Sequence, residues 1–286
     1  MNVINNDPAD GHRVRALIFT SIAHFLNDSF LVTVSILIDY YISMDVPAVF
    51  LGVMAALVNL LSGLASPVVS SYADRKGLHN ALMLVGFALI GASSLAFAAS
   101  FVAGGPLRLV DIGLGSTLLG LGLSFYHPLG GAILQRAYEG NPGPALGING
   151  SLGSVGRALF PLVMVVTIRA LGGGLALSII GVYVFIVASV IYVGLRPIRM
   201  PATNETRSQS AARLSAYYYA LVPLTVVIFI RAMFMSGVMT YVPTYVDGLV
   251  HSKVLMGIIV TSSYATAIVG QPFFGWLLGR IGGRSV

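Results

Sequence analysis

Eight long apolar runs, each about the length of a bilayer-spanning helix, constrain this chain more than any other feature. A segment in lipid must satisfy its backbone hydrogen bonds internally, and these runs lack the alternating polarity of membrane β-strands. We therefore predict an all-α membrane protein with about eight transmembrane helices. The predicted spans are Ala16–Ile38, Pro47–Tyr72, Ala81–Ala103, Ile112–Ile133, Ala145–Ile168, Leu175–Leu195, Tyr217–Val242 and Val254–Leu278.

The composition excludes several classes of protein. Charged residues make up 9% of the chain, against about 25% in a soluble domain, and the deficit extends along its whole length. The basic residues are scattered between the apolar runs, which argues against nucleic-acid binding. Cysteine is absent, so disulfides, thiolate catalysis and cysteine-ligated metals are excluded. No phosphate-binding loop and no metalloprotease motif occurs, and we expect no cofactor, no metal and no ATP-driven transport.

The distribution of lysine and arginine between the runs predicts the orientation. Cytoplasmic loops carry an excess of these residues. If the N-terminus is cytoplasmic, the two sides of the membrane carry unequal numbers of these basic residues. One side then holds Arg13, Arg15, Arg75, Lys76, Arg136, Arg196, Arg199, Arg207, Arg213, Arg280 and Arg284, and the other only Arg108, Arg169 and Lys253. We expect a multi-pass protein of the cell membrane, monomeric in the bilayer, with both termini cytoplasmic.

The longest polar stretch, residues 196–216, predicts a cytoplasmic linker. It separates an N-terminal half with six spans, residues 1–195, from a partial C-terminal half with two spans, residues 217–286. The two loops that follow the second and eighth spans support this division, because both contain an arginine with a glycine two places on. Many transporters are built from such repeats, although short Arg/Gly loops are also common by coincidence.

These loops resemble the short cytoplasmic loop that is the hallmark of the major facilitator superfamily. The first copy keeps Asp74, Arg75 and Gly77 of the motif but has Ser70 and Leu78 where the family prefers glycine and a base. The second copy has Gly279 where an acid is usual. That copy keeps Gly275, Leu277, Arg280, Gly282 and Arg284.

Within that superfamily, the chain is most similar to the fosmidomycin-resistance-like exporters. The segments that carry this likeness are His24–Ser29, Phe125–Pro128, Gly156–Pro161 and Arg231–Tyr245, with a departure at Phe160, where that branch favours glycine. The resemblance implies a bundle of twelve helices in two halves, of which this sequence supplies eight. We therefore expect a fragment or a chain truncated after the eighth helix.

The resemblance implies a proton-coupled secondary transporter that works by alternating access. It implies an exporter or antiporter of a small, anionic or drug-like molecule, with protons, substrate and the lipid bilayer as its partners, and no enzyme activity. Two alternatives remain open at this point: a membrane fragment or sensor that does not transport, and an intramembrane enzyme acting on lipid.

Three polar residues of the first span are the first candidates for chemistry. His24, Asn27 and Asp28 lie at positions i, i+3 and i+4, hence on one helical face. An acid inside a span costs about 2.5–3.5 kcal/mol, so it normally faces a cavity or a partner. We interpret Asp28 as the proton carrier, with His24 sharing the proton. The alternative is a hydrogen-bond cluster that only holds the helix in place.

Three further residues extend the predicted substrate and proton pathway. Arg157 lies among glycines in the fifth span, and Asp28 is its natural partner, since protonation of Asp28 would then free Arg157 for an anion. His127 directly precedes Pro128, and a proline inside a helix permits a kink. We interpret His127 either as part of a gating or binding site or as a residue that only packs at the kink. Arg231 is central in the seventh span and is interpreted as a second cavity arginine, with snorkelling as the alternative.

The loop residues suggest a conformational role. The family likeness implies that Asp74, Arg75, Gly77 and Arg280 form a charge latch between helix ends. The alternative is a plain topology signal. Asp39 and Asp247, which lie near the ends of their runs, are interpreted as interfacial.

Overall fold

The computed structural model describes residues 8–202 and 217–281, and it contains eight helices long and apolar enough to cross a membrane. The eight predicted spans are thereby confirmed within the described residues. The helices are α1 Pro8–Ser29, α2 Thr33–Ile42, α3 Ala48–Lys76, α4 His79–Val102, α5 Gly105–Ala137, α6 Gly143–Leu171, α7 Gly173–Leu195, α8 Tyr218–Val250 and α9 Lys253–Ile281. The predicted linker falls largely on residues 203–216, which lie outside the described part, so the division there stays a prediction.

The first span is not one regular helix. A single 3₁₀ turn, Phe30–Val32, separates α1 from α2 directly after Ser29. Short 3₁₀ stretches inside a longer helix are often hinges or sites of strain. The break therefore begins two residues beyond Asp28, where a change of backbone geometry can re-aim the polar side chains.

Several helices are longer than the sequence predicted, and the first span begins at Pro8 rather than Ala16. α5 begins at Gly105 rather than Ile112, with a proline in its first turn, where a missing N–H costs little. α8 continues to Val250 rather than ending at Val242, and Pro243 lies inside it. Proline is tolerated there because neighbouring helices and side chains can satisfy the backbone groups that it frees.

The first six spans pack against one another mainly through α1, α4 and α5. α1 contacts α5, α6 and α7; α4 packs against α5 and α7; and α3 packs against α5. The last two spans are attached through different neighbours, since α8 packs on α2 and α9 packs on α6. The core that results contains large buried side chains such as Phe30, Phe87 and Phe97.

Hydrogen bonds at the ends of the helices show which loops share a face. The side chain of Arg13 reaches Ala137 O, and that of Arg15 donates to Gly194 O. At the opposite end, Arg108 donates to Met44 O. The loops therefore alternate between two faces as the span count requires, and we call these the N-terminal face and the Lys253 face.

Candidate functional site

Asp28 is the centre of a polar cluster inside the bundle. Its side chain is 2% exposed, and its Oδ2 accepts a 2.5 Å hydrogen bond from Arg157 Nη2 on α6. A buried carboxylate without a partner would be strongly unfavourable. The ion pair between Asp28 and Arg157 that the sequence suggested is therefore present, and it joins the first and fifth spans.

Two imidazoles and one amide complete this group, which we call the Asp28 cluster. His24 Nε2 lies 3.5 Å from Asp28 Oδ2, and His127 Nε2 lies 3.4 Å from Asp28 Oδ1. Asn27 Nδ2 donates to Asp28 Oδ1 at 3.2 Å. Every neighbour is a hydrogen-bond donor or becomes one on protonation, so the surroundings stabilise a negative carboxylate.

Glycines on α6 let α1 come close enough to form the cluster. A Cβ on Gly156 would lie 2.2 Å from Phe25 O, and one on Gly153 would lie 2.4 Å from His24 Cδ2. Such contacts are far below van der Waals distance, so any side chain there would push α1 and α6 apart. Small residues at helix interfaces serve this purpose in membranes.

Three residues that sequence reasoning gave no role lie behind His24. Its Nδ1 is 2.8 Å from Asn149 Oδ1, while Asn149 Nδ2 donates to Thr20 Oγ1 at 3.3 Å. Tyr126 Oη lies 3.0 Å from Asn149 Oδ1 and 2.9 Å from Thr20 O, and its ring packs 4.8 Å from the His24 ring. The signals in the sequence were Thr20 on the same helical face as His24, an asparagine inside an apolar run and a tyrosine directly before His127.

Arg231 does not join the cluster. Its side chain is exposed along α8, a helix that packs on α2 rather than on α1. An apolar groove of about 640 Å³ separates α3 from α8, and Arg231 is not among its lining residues, which include Ala55, Asn59 and Ser236. The role of Arg231 in a substrate pathway stays a prediction.

The residues of the predicted latch have local partners. Asp74 Oδ1 lies 3.0 Å from His79 Nε2 across the turn, and Arg75 Nε donates to Ser71 O. Gly77 adopts φ 66° and closes α3, a conformation that glycine takes without strain. The side chain of Arg280 lies outside the described part, so the latch stays a prediction.

A second ionic contact, here called the Lys253 contact, lies on the Lys253 face. Lys253 Nζ bonds Asp39 of α2 and also Asp247 of α8, the latter at 3.0 Å, and it lies 5.2 Å from the centroid of the Tyr40 ring. The side chain of Asp39 is only 6% exposed. Asp39 is therefore buried within the protein at this face and ties the first span to the start of α9. Its interfacial depth in the membrane stays a prediction.

The cluster also contains side chains that could hold a metal ion. One ligand atom from each of His24, Asp28 and His127 lies within 4.8 Å of the others, although we expected no such constellation. Arg157 already occupies Asp28 Oδ2 and adds positive charge next to the place that a cation would take. The electrostatics therefore disfavour a metal ion at these three side chains.

Comparison with known proteins places this geometry in context. Residues 17–286 match the sequence model of the Major Facilitator Superfamily. A protein of Bacillus subtilis (strain 168), named "Uncharacterized MFS-type transporter YfnC", is 30% identical over 158 residues, which are 54% of this chain and 37% of that protein. The match thus spans less than two thirds of that relative.

Solved structures share the fold at low sequence identity. A peptide transporter POT in complex with sulfate aligns with a TM-score of 0.63 and 15% identity, over 94% of this chain and 69% of that one. A mutant of a peptide transporter POT in complex with alafosfalin gives 0.61 and 16%, over 94% and 68%. At such identities, these similarities concern the fold alone.

Proposed function

The chain belongs to the Major Facilitator Superfamily, and on that premise we propose that it is a secondary transporter driven by protons. The substrate is a small molecule that crosses the membrane by alternating access, as one part of the bundle rocks against another. The observation that carries this proposal is the buried Asp28–Arg157 pair with two imidazoles at the carboxylate. Ionisable side chains inside spans commonly mark proton relays and substrate paths.

The three spans that supply the Asp28 cluster support the same function. The Asp28 cluster is built from α1, α5 and α6, and each of its two histidines has a ring nitrogen beside the carboxylate. Imidazole nitrogens can bind and release protons. His127 is half-exposed, with 51% of its side chain accessible, while Asp28 is almost fully buried. A proton can therefore enter at His127 and reach a carboxylate that is shielded from solvent.

The ion pair suggests how proton and substrate are linked. Charge added by a proton at the cluster weakens the hold of Asp28 on Arg157, and a freed guanidinium can bind an anion such as a carboxylate or phosphonate. We propose a small anionic or drug-like substrate on this ground. Export by proton exchange rests on the likeness to the fosmidomycin-resistance-like branch.

We place the protein in the cell membrane as a monomer with a cytoplasmic N-terminus. The N-terminal face, where Arg13, Arg15 and Arg75 lie, is then cytoplasmic. Asp74, Arg75, Gly77 and Arg280 act there as the charge latch of one access state, and Arg231 faces the substrate path when the bundle changes state.

Reconstitution tests the proposal. The purified chain is placed in liposomes that contain a pH-sensitive dye, and fosmidomycin and a panel of small carboxylates are added outside as probes. We expect a probe-dependent change of internal pH that the variant Asp28→Asn abolishes. If the wild-type chain moves no protons with any probe while a longer gene product does, this chain is a fragment that does not transport. Turnover of the liposome lipid would indicate an enzyme instead.

A further inference from the structure

The hydrogen bonds behind His24 determine which of its nitrogens can carry a transported proton. Thr20 Oγ1 donates its only hydrogen to Ala16 O at 2.7 Å, so the same oxygen can only accept from Asn149. The Asn149 side chain therefore presents its NH₂ to Thr20 and its Oδ1 to His24. An amide oxygen is an acceptor only, so His24 Nδ1 must hold a hydrogen.

That arrangement leaves Nε2 as the variable position of the ring. Nε2 faces Asp28 Oδ2 at 3.5 Å, and without a proton its lone pair faces a carboxylate. A proton at Nε2 turns this repulsion into an ion pair. The ring has little room to move, because a Cβ at Gly153 would already clash with it and the Tyr126 ring packs 4.8 Å away.

Asp28 is less suited to give up its charge. Its two oxygens already interact with Arg157, Asn27 and both histidines, and protonation would weaken all of these contacts. The groups that face His24 are Asp28 from α1, Tyr126 and His127 from α5, and Asn149 and Arg157 from α6. Of the two histidines in the Asp28 cluster, His24 is the one with one nitrogen at a buried acceptor, Asn149 Oδ1, and the other directed at the carboxylate.

We propose that Asn149 is a positioning residue which keeps a hydrogen on His24 Nδ1, so that the coupling proton is gained and lost at His24 Nε2 beside Asp28. This inference rests on the proposed function, because it names the carrier of the proton. It replaces Asp28 as first carrier with His24, and it gives Asn149 and Thr20 a role that does not involve contact with substrate.

Nitrogen NMR of the ¹⁵N-histidine-labelled chain in lipid nanodiscs tests the proposal directly. The His24 signals are assigned by their loss in His24→Gln. In the wild type at high pH we expect a protonated Nδ1 and a bare Nε2, and on acidification Nε2 gains the hydrogen. A neutral ring that carries its hydrogen on Nε2 overturns the proposal.

Variants of Asn149 sharpen the test. Asn149→Leu keeps the size but removes the acceptor, so the neutral ring should move its hydrogen to Nε2, where Asp28 accepts it. Asn149→Asp keeps an acceptor oxygen and should restore the wild-type signal. Thr20→Val removes only the hydroxyl that orients Asn149 and should give a smaller shift if the Leu variant does not fold. An unchanged signal in Asn149→Leu contradicts the proposal.

A matched control and a separate readout keep the two proposals apart. Ser154→Ala alters another buried polar residue of α6, one whose hydroxyl lacks a partner among the described residues, and it should leave the His24 signals unchanged. The NMR result does not depend on transport. The expected wild-type ring without any probe-driven proton movement would refute only the proposed function. Proton-coupled transport with a hydrogen on Nε2 of the neutral ring would refute only this inference.

Discussion

Two aspartates of the first membrane span, Asp28 and Asp39, are both buried, and both pair with a basic side chain from another helix. Their surroundings differ. Asp28 is contacted by two imidazoles and a guanidinium, whereas Asp39 shares the single amine of Lys253 with a second carboxylate, Asp247. The comparison teaches that burial of an acid in a span is not by itself a sign of proton transfer, because the partners decide what the charge can do.

The position of each pair in the fold strengthens this contrast. The Asp28 cluster lies among α1, α5 and α6, within the first six spans, next to the 3₁₀ break at Phe30–Val32. The Lys253 contact joins α2 to α8 and α9, which follow the predicted linker. The first lies wholly within the first six spans, while the second connects two groups of helices at one face.

The largest effect is expected from breaking the Asp28–Arg157 pair. Asp28→Asn leaves Arg157 without its counter-charge, and loss of one partner of a buried pair costs about 3–5 kcal/mol. We expect a lower unfolding temperature in detergent and no proton-coupled transport. The exchanged variant, Asp28→Arg with Arg157→Asp, should recover part of the stability. If each single variant transports normally, the pair has no role in transport.

A smaller loss is expected from breaking the Lys253 contact. Lys253→Met leaves Asp39 buried beside Asp247, and an unpaired buried charge of this kind costs about 2–3 kcal/mol, less than above because Lys253 is partly exposed. The Lys253 face should also open more often. The chain lacks cysteine, so a single reporter such as Ser35→Cys, in the small cavity between α2 and α3, can be labelled with a membrane-impermeant thiol reagent. If Lys253→Met does not speed up labelling of the reporter cysteine, the Lys253 contact does not keep this face closed.

The close approach of α1 and α6 allows a test of packing. Gly156→Ala places a methyl group against Phe25 O and should destabilise the protein by about 1–3 kcal/mol. Gly147→Ala on the same helix meets nothing within 4 Å and serves as the control, with a gain of up to about 1 kcal/mol from helix propensity. Thermal unfolding of the two variants in the same detergent checks the prediction, and equal stabilities would contradict the packing of these helices.

The smallest effect is expected for an ion pair at the surface. Arg136 and Glu139 lie 2.9 Å apart with more than half of each side chain exposed. Arg136→Gln should change stability by less than about 1 kcal/mol, because solvent screens exposed pairs. Thermal unfolding at two salt concentrations measures this. If Arg136→Gln lowered the stability as much as Asp28→Asn, burial would not explain why the two ion pairs differ in their contribution to stability.

Much of the architecture could be predicted from the sequence because lipid imposes a simple rule on length and polarity. Eight apolar runs gave eight spans, and the helix ends were missed mainly where proline allowed α5 to start early and α8 to continue past Pro243. The pairing of Asp28 with Arg157 also followed from the cost of unpaired buried charge. His24, Asn27 and Asp28 shared a face as their spacing required.

The other contacts of the candidate site join different spans, and the spacing of residues along one helix does not reveal such contacts. Nothing in the sequence placed His127 at Asp28 or Asn149 behind His24, since the two residues of each pair are more than 90 positions apart on different helices. The burial of Asp39 was not predicted because only the packing of α8 and α9 on the first six spans brings Lys253 to it. Residue type therefore predicted which side chains needed partners, and tertiary packing chose the partners.

Proton movement in liposomes compares the two regions most directly. The internal pH dye is read during addition of the same probe to the wild type, His24→Gln, Asp28→Asn and Lys253→Met. If the Asp28 cluster carries the proton, the first two variants lose probe-driven proton movement, while Lys253→Met keeps the wild-type ratio of protons to substrate at a changed rate. Wild-type proton movement in His24→Gln and Asp28→Asn together would contradict the account.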